Sequence, residues 1–375
     1  MDMKTLIFVL LLWPCLLNAQ SIHVRVSISP VVDTADHDIA SVITLWESYL
    51  NSNPDSVYAN PYWVETEQHQ YNPFDLVGHT YYNPSLYSYI HWWRAEILSV
   101  SPIDSVFVIR TMFYSLVRND SSVNVACIIQ TAARRENGLF KLCNALMVNT
   151  RYWHREQVGN IKFVFPPEHL FNRAFAERMY AFVDSLARVW QVKLVPIEYY
   201  FADDFGRVAK ALGFDYLPSE GNVSGPRGFT DTKNRIIYSG GSNEWYPHEF
   251  VHILVNPLYP NINPYFAEGY ATLLGGSRGQ DLLWHIRRNY EYLKDHLEVD
   301  VVSFKGVDAY VDSHYFIGGL LCKMAEEKGG LPLIQKLMTY GRDDEDLYRA
   351  IQDTFGVRKA YVNIFLRAKL AQYAQ

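Results

Sequence analysis

The sequence predicts an α+β protein in two units: a small antiparallel-sheet unit, then a mixed sheet with a helical C-terminal half. Three observations carry this. One amphipathic helix near the N-terminus is followed by three strand-like runs between 106 and 149. Beyond residue 155 short apolar strands alternate with helical patterns. After Tyr246 the pattern is helix, loop, helix to the end.

In chain order, "MDMKTLIFVLLLWPCLLNAQS" reads as a secretory signal peptide. Lys4 gives the charged start, Leu6 to Leu17 the apolar core, and cleavage is expected after Ala19. The apolar run is too short for a comfortable membrane span and contains Pro14, so a secreted or periplasmic protein without stable membrane insertion is expected. Ile22, Val24, Val26 and Ile28 then alternate with polar residues, as in a half-buried strand. From Asp36 to Leu50 the period changes: Ile39, Val42, Ile43, Trp46, Tyr49 and Leu50 share one helical face. Residues 52–92, rich in Tyr, Asn and Pro, suggest no element. Strands are expected at Val106–Val117, Val123–Ala133 and Leu139–Asn149. Asn137-Gly138 suits a tight hairpin between the last two, because both central residues of that turn need positive φ. These elements define an N-terminal domain over residues 20–155, and the second unit over 156–375.

In the second unit, Ile161–Phe165 and Val195–Phe201 read as strands around a long amphipathic helix, Phe171–Gln191. A glycine-rich stretch follows, with a further strand at Arg235–Ser239.

Composition narrows the function classes. A chain of 375 residues that is 49% hydrophobic can bury at least one substantial core, and its size favours two. A net charge of -6 with a pI near 6.1 argues against nucleic acid or an anionic membrane as main partner. After cleavage Cys127, Cys143 and Cys322 remain. Cys127 and Cys143 lie in neighbouring expected strands, so either a disulfide or two buried thiols is compatible.

The chemistry is carried by His248-Glu249-Phe250-Val251-His252, an H-E-x-x-H sequence. On a helix, positions four apart share a face, so both imidazoles can reach one ion, with Glu249 beside them to hold a water. Asn256-Pro257 should end that helix. A catalytic zinc takes three protein ligands and keeps a fourth position open. Glu268 can be the third: Asn263 suits an N-cap, Pro264 the first helical position, and Gly275-Gly276 the end of a second helix.

His248-Glu249-x-x-His252 followed by Phe266-Ala267-Glu268-Gly269 resembles the gluzincin zinc metallopeptidases, in particular the broad branch that includes aminopeptidase-N-type enzymes. The resemblance covers roughly residues 160–375, with its specific motifs at about 245–320. It implies a gluzincin-like catalytic domain that hydrolyses peptide or protein substrates. Zn2+ would be held by His248, His252 and Glu268, one ion per chain, with Glu249 as general base. Such enzymes carry a later tyrosine in a Tyr-x-x-Gly setting that stabilises the oxyanion. Tyr315-Phe316-Ile317-Gly318 matches that pattern, with His314 and Tyr310 as alternatives. The resemblance also implies an edge strand that holds extended substrate, at Arg235–Ser239 or at Gly228–Asp231.

Two departures bear on the subfamily. Only 15 residues separate His252 from Glu268, fewer than the aminopeptidase-N-type spacing. "GGSNEWYP" does not reproduce the Gly-Ala-Met-Glu-Asn segment that grips a free amine, so aminopeptidase action is not implied. The metzincin pattern is excluded, because Val255 and Leu258 stand where it requires glycine and histidine. The rival function is an inactive zinc-containing scaffold whose N-terminal domain binds a partner. That domain resembles small cone-shaped α+β domains of the nuclear-transport-factor type.

Overall fold

The computed structural model describes residues 26–52, 61–67, 93–117, 122–216, 226–307 and 312–375. The expected signal peptide, Ile22, Val24 and Tyr310 lie outside them. Strands β1 (Val26–Ile28), β2 (Arg94–Ile103), β3 (Val106–Leu116), β4 (Val123–Glu136) and β5 (Leu139–Cys143) form one sheet in that order. β1 is parallel to β2, and the others are antiparallel. Helix α1 (His37–Leu50) buries the six residues its periodicity singled out, and the Asp36 carboxylate caps it by accepting from the Asp38 and Ile39 N–H groups. Asn137 and Gly138 take φ of 52° and 83°, as the hairpin requires.

Two differences from expectation have local causes. β2 was not legible because a bulge between Ile97 and Ser99 breaks its period, so the buried residues are Ala95, Ile97 and Val100. β5 ends at Cys143, short of the expected Asn149. There the Asn144 N–H donates to Glu67 at 2.6 Å and the Asn144 side chain accepts from the Leu146 N–H at 2.7 Å. Those bonds turn the chain into α2 (Leu146–Asn149). Cys127 and Cys143 are separate buried thiols.

The second sheet runs β10-β11-β8-β7-β6, from β6 (His154–Val158), β7 (Ile161–Phe165), β8 (Ile197–Ala202), β10 (Arg227–Asp231) and β11 (Ile236–Gly240). β7, β8 and β11 are parallel, and β10 and β6 are antiparallel additions at the edges. Phe163, Phe165, Tyr199, Phe201 and Ile237 face one core, while Val164, Tyr200, Ala202, Ile236 and Tyr238 face the other. Burial on both faces explains the near-continuous apolar runs of these strands.

Two cores result. One joins α1, the first sheet, α4 (Phe205–Leu212) and the near face of the second sheet. β9 (Phe214–Tyr216) returns to pair with β4. The other lies on the far face, with α3 (Arg173–Trp190), α5 (Pro247–Val255), α6 (Pro264–Gly275), α7 (Leu282–Leu293), α8 (Gly319–Met338), α9 (Asp344–Phe355) and α10 (Val362–Tyr373). No helix among the described residues is long and apolar enough to cross a membrane.

Candidate metal centre

α5 carries His248, Glu249 and His252, and all nine of its residues are buried. Pro247 sets its start at the first helical position, and it runs into a short 3-10 turn at Asn256–Leu258. α6 follows after a short loop. The Asn263 side chain caps it by accepting from the Tyr265 N–H at 3.1 Å, with Pro264 next. The two helices run back against each other. Gly275 at the end of α6 lies so close to the start of α5 that an added Cβ would stand 2.5 Å from the His248 nitrogen.

This hairpin brings the three expected ligands together. His248 Nε2 and His252 Nε2 lie 3.2 Å apart, and Glu268 Oε2 is 3.2 Å from the first and 3.5 Å from the second. The residues fit a metal ion on two counts. Two ligands each about 2.1 Å from a tetrahedral zinc stand about 3.4 Å apart, close to all three spacings. The tautomer is also right. The Gly276 carbonyl can only accept, so His248 Nδ1–H donates to it (2.6 Å) and leaves Nε2 as a lone pair. His252 Nδ1 has the Asn256 side-chain amide nitrogen at 3.2 Å, and with that amide rotated by half a turn its oxygen accepts from Nδ1–H to the same effect. Three electron-pair donors then face one another, an arrangement that calls for a cation. A proton meets the same demand for positive charge: burial opposes charge on His252, yet Glu268 outweighs it and lifts the imidazole to about 9. Glu268, against its own burial, is held well below the usual carboxylate range by the two imidazoles.

Glu249 is buried beside the cluster, and its Oε2 accepts from the Thr230 hydroxyl at 2.5 Å. Thr230 lies on β10, the outermost strand, whereas β11 is interior. Gly228, two residues earlier, approaches so closely that a Cβ would stand 3.0 Å from Glu249 Oε1. Of the two segments considered for an edge strand, β10 is therefore the one that touches the site.

Tyr315 lies in a wide π-helical turn, His314–Gly318, leading into α8. Its ring centroid is 6.1 Å from that of His248, and the Ser277 side chain lies beside its hydroxyl. Burial, then the nearby Glu268, push its phenol up to about 12, so it is a neutral donor. A glycine pair makes this approach possible: a Cβ on Gly269 would meet the Gly318 backbone at 2.1 Å. His314 is engaged otherwise, bonded to Asp312 and packed on the Tyr265 ring at 4.4 Å.

Sequence reasoning missed Thr230 and Tyr246. Tyr246 precedes α5 and faces Glu249; burial first, then that carboxylate, raise its phenol well above the usual range. Its position two residues before the H-E-x-x-H sequence was the available signal. Thr230 offered none, since its contact with Glu249 spans 19 residues of sequence.

No protein-family model and no curated protein matches the chain. Among solved structures, an M1 zinc metallopeptidase from Deinococcus radiodurans is similar at 11% identity and a TM-score of 0.31, over 76% of this chain and 64% of that one. A mutant of that enzyme gives 11% identity and a TM-score of 0.30 over the same shares. A two-domain M1 zinc metallopeptidase mutant bound to L-arginine gives 11% and 0.29, over 76% of this chain and 63% of its own. The match thus spans less than two thirds of these proteins' length. So distant a likeness carries no weight for the chemistry, which rests on the site itself.

Proposed function

We propose that the chain is a secreted zinc-dependent peptidase, with residues 156–375 as its catalytic domain and residues 20–155 as an accessory binding or packing domain. The observation that carries this is the convergence of His248, His252 and Glu268, at spacings of 3.2, 3.2 and 3.5 Å, beside a buried glutamate that ligates nothing. A structural zinc site needs no base and closes its fourth position with Cys or His. Among the described residues the metal-competent group holds three ligands only, which favours the enzyme over the inactive scaffold.

Zinc held there would supply Lewis acidity, drawing a water toward deprotonation near neutral pH and polarising the scissile carbonyl. The chain's own groups do the rest. Glu249, fixed through Oε2 by Thr230, keeps Oε1 to take the water's proton and deliver it to the leaving amine. Tyr315 donates its phenol hydrogen to the oxyanion as charge develops. β10 lies alongside to align extended substrate by main-chain hydrogen bonds.

Elemental analysis beside a cleavage assay on an unfolded protein tests the reading. Wild type should hold about one zinc and cleave. Glu268→Ala should lose both. Glu249→Gln should keep zinc and lose about 10²–10⁴-fold in kcat. A Glu249→Gln variant as active as wild type would refute the mechanism, and a zinc-free wild type would refute the site.

A further inference from the structure

The turn that joins α6 to α7 supports two parts of the candidate centre at once. Ser277 and Gln280 close it with two backbone hydrogen bonds, of 2.8 and 2.9 Å. Gly276, at φ 71°, leads into it, and a Cβ there would stand 2.4 Å from the Gln280 carbonyl oxygen. The two peptide groups that flank the Ser277 Cα each bond a histidine. The Gly276 carbonyl accepts from Nδ1–H of the candidate ligand His248 at 2.6 Å. The Ser277 carbonyl accepts from His285 Nε2–H at 2.9 Å. Between them the Ser277 side chain lies beside the Tyr315 hydroxyl. Ser277 thus meets a metal ligand on one side and the proposed oxyanion donor on the other.

His285 is fully buried in the first turn of α7. A carbonyl only accepts, so the ring carries its proton on Nε2. Burial holds the imidazole below its ordinary value; Ser277 and Asp281 oppose this, while His248 and Arg278 add to it, and the ring is neutral. Nδ1 is buried and bonds nothing among the described residues, so the single hydrogen bond of the ring goes to the turn. That bond is not needed to close the turn. The Ser277 carbonyl already accepts from the Gln280 N–H, and His285 takes its second lone pair, which fixes the tilt of the peptide group. The His285 ring also packs on Tyr315, with centroids 5.9 Å apart and planes at 49°. His285 therefore meets Tyr315 twice, directly through its ring and indirectly through Ser277, and it stands outside the metal-competent group.

We infer that His285 is a positioning residue, which holds the Tyr315 hydroxyl in register with His248 through Ser277 and through its own ring. The shared Ser277, the ring contact and a hydrogen bond that the turn does not need for closure carry this. It rests on the peptidase reading and on Tyr315 as oxyanion donor. The physical reason is that a donor acting in the transition state loses much of its effect when it is displaced by a fraction of an ångström.

Two substitutions separate the bond from the bulk. His285→Leu fills the space without a donor, and His285→Gln keeps an N–H near the place of Nε2. With unfolded protein as substrate, His285→Leu should lower kcat about tenfold, leave KM little changed and keep about one zinc per chain. His285→Gln should recover most of the rate. A phosphinic analogue of acetyl-trialanine amide carries its oxyanion on a tetrahedral centre, and calorimetry should find it bound about tenfold more weakly by His285→Leu. In a Tyr315→Phe background neither loss should recur, because the group being positioned is gone.

Equal kcat and equal phosphinic affinity in wild type and His285→Leu would overturn the inference. So would a loss that persists in Tyr315→Phe, or a loss of zinc, since either would make His285 a support of the fold or of His248 instead. If His285→Leu does not fold, Ser277→Ala takes its place, because it leaves both carbonyls and removes only the side chain beside Tyr315. The same losses are expected there, absent from the Tyr315→Phe background, and their persistence in that background overturns the inference equally. Wild-type cleavage reports the peptidase reading separately. A wild type that cleaves no better than His285→Leu sinks only the role of His285. A wild type that cleaves nothing, yet binds the phosphinic probe in a His285-dependent way, sinks only the peptidase reading.

Discussion

The two cores bury polar groups on different terms. Around the first sheet, Glu67, Asn144 and Thr150 are buried, and each hydrogen-bonds the backbone: Glu67 accepts from the Asn144 N–H, Asn144 from the Leu146 N–H, and Thr150 donates to the Leu146 carbonyl. These groups end strands and close turns. Around α5 and α6, Asn263 and Thr272 serve the backbone in the same way, but the buried His248 and His252 and the half-buried Glu268 face one another at 3.2 to 3.5 Å. Folding alone gives little reason to gather three ionisable side chains there, because taking such groups from water costs desolvation. The difference teaches how to tell structure from function here. A buried polar group that satisfies the backbone belongs to the fold, whereas one that waits for a cation belongs to the site.

Glycines divide the same way, and the largest effect is expected from them. Gly138 serves the first sheet through its φ of 83°, with nothing within 4 Å of an added Cβ. Gly138→Ala should cost about 1 kcal/mol from conformation alone. Gly269 serves the site by approach, since its Cβ would meet the Gly318 backbone at 2.1 Å. Gly269→Ala should cost about 3 kcal/mol and displace the turn bearing Tyr315. Denaturant melts of both variants, with kcat beside them, check this. A Gly269→Ala protein as stable as Gly138→Ala would show that the α6–α8 crossing can relax, and would break the contrast.

How much was readable follows from where each signal lived. α1, α5 and α6 were legible because their apolar faces, caps and Pro-Gly punctuation are local. The juxtaposition of His248 and His252 was legible for the same reason, since four-residue spacing places both on one helical face without reference to the rest of the fold, and the cap signals of α6 placed Glu268. β2 was hidden by its bulge, and the shortening of β5 by Glu67, which lies 77 residues before Asn144. Tyr315 came from a matching pattern, and its proximity to His248 depends on a glycine contact across about 50 residues. Thr230 had no periodic signal. Its significance appears only when an edge strand is folded against α5.

Thr230 gives a middling effect that sharpens the comparison within the site. Its hydroxyl leaves Glu249 one carboxylate oxygen free and fixes the other at 2.5 Å. Thr230→Val keeps the shape and removes the donor. The expected result is a kcat about tenfold lower with KM little changed and zinc content intact, since the proposed base loses its orientation while the candidate ligands stay in place. Thr230→Ser should restore most of the rate. A drop in stability with no change in kcat would place Thr230 with the backbone-serving groups of the other core.

The smallest effect, of opposite sign, is expected in that other core. Burial raises the Glu67 carboxyl above its ordinary 4.5, with the Asn144 N–H and then Arg134 opposing. Below pH 4.5 the group is protonated in folded and unfolded chains alike and stability is unaffected. As pH climbs past 4.5 the unfolded chain ionises first, so the folded state loses stability until Glu67 ionises within it as well. Glu67→Gln keeps an acceptor for Asn144 and cannot ionise. It should therefore melt about 2 °C above wild type at pH 7.5, with no gain at pH 4. A variant that melts lower at pH 7.5 would mean that Arg134 and the Asn144 bond outweigh desolvation. Glu67 would then be a paired ion in its own right, and a buried carboxylate near a cation would no longer separate one core from the other.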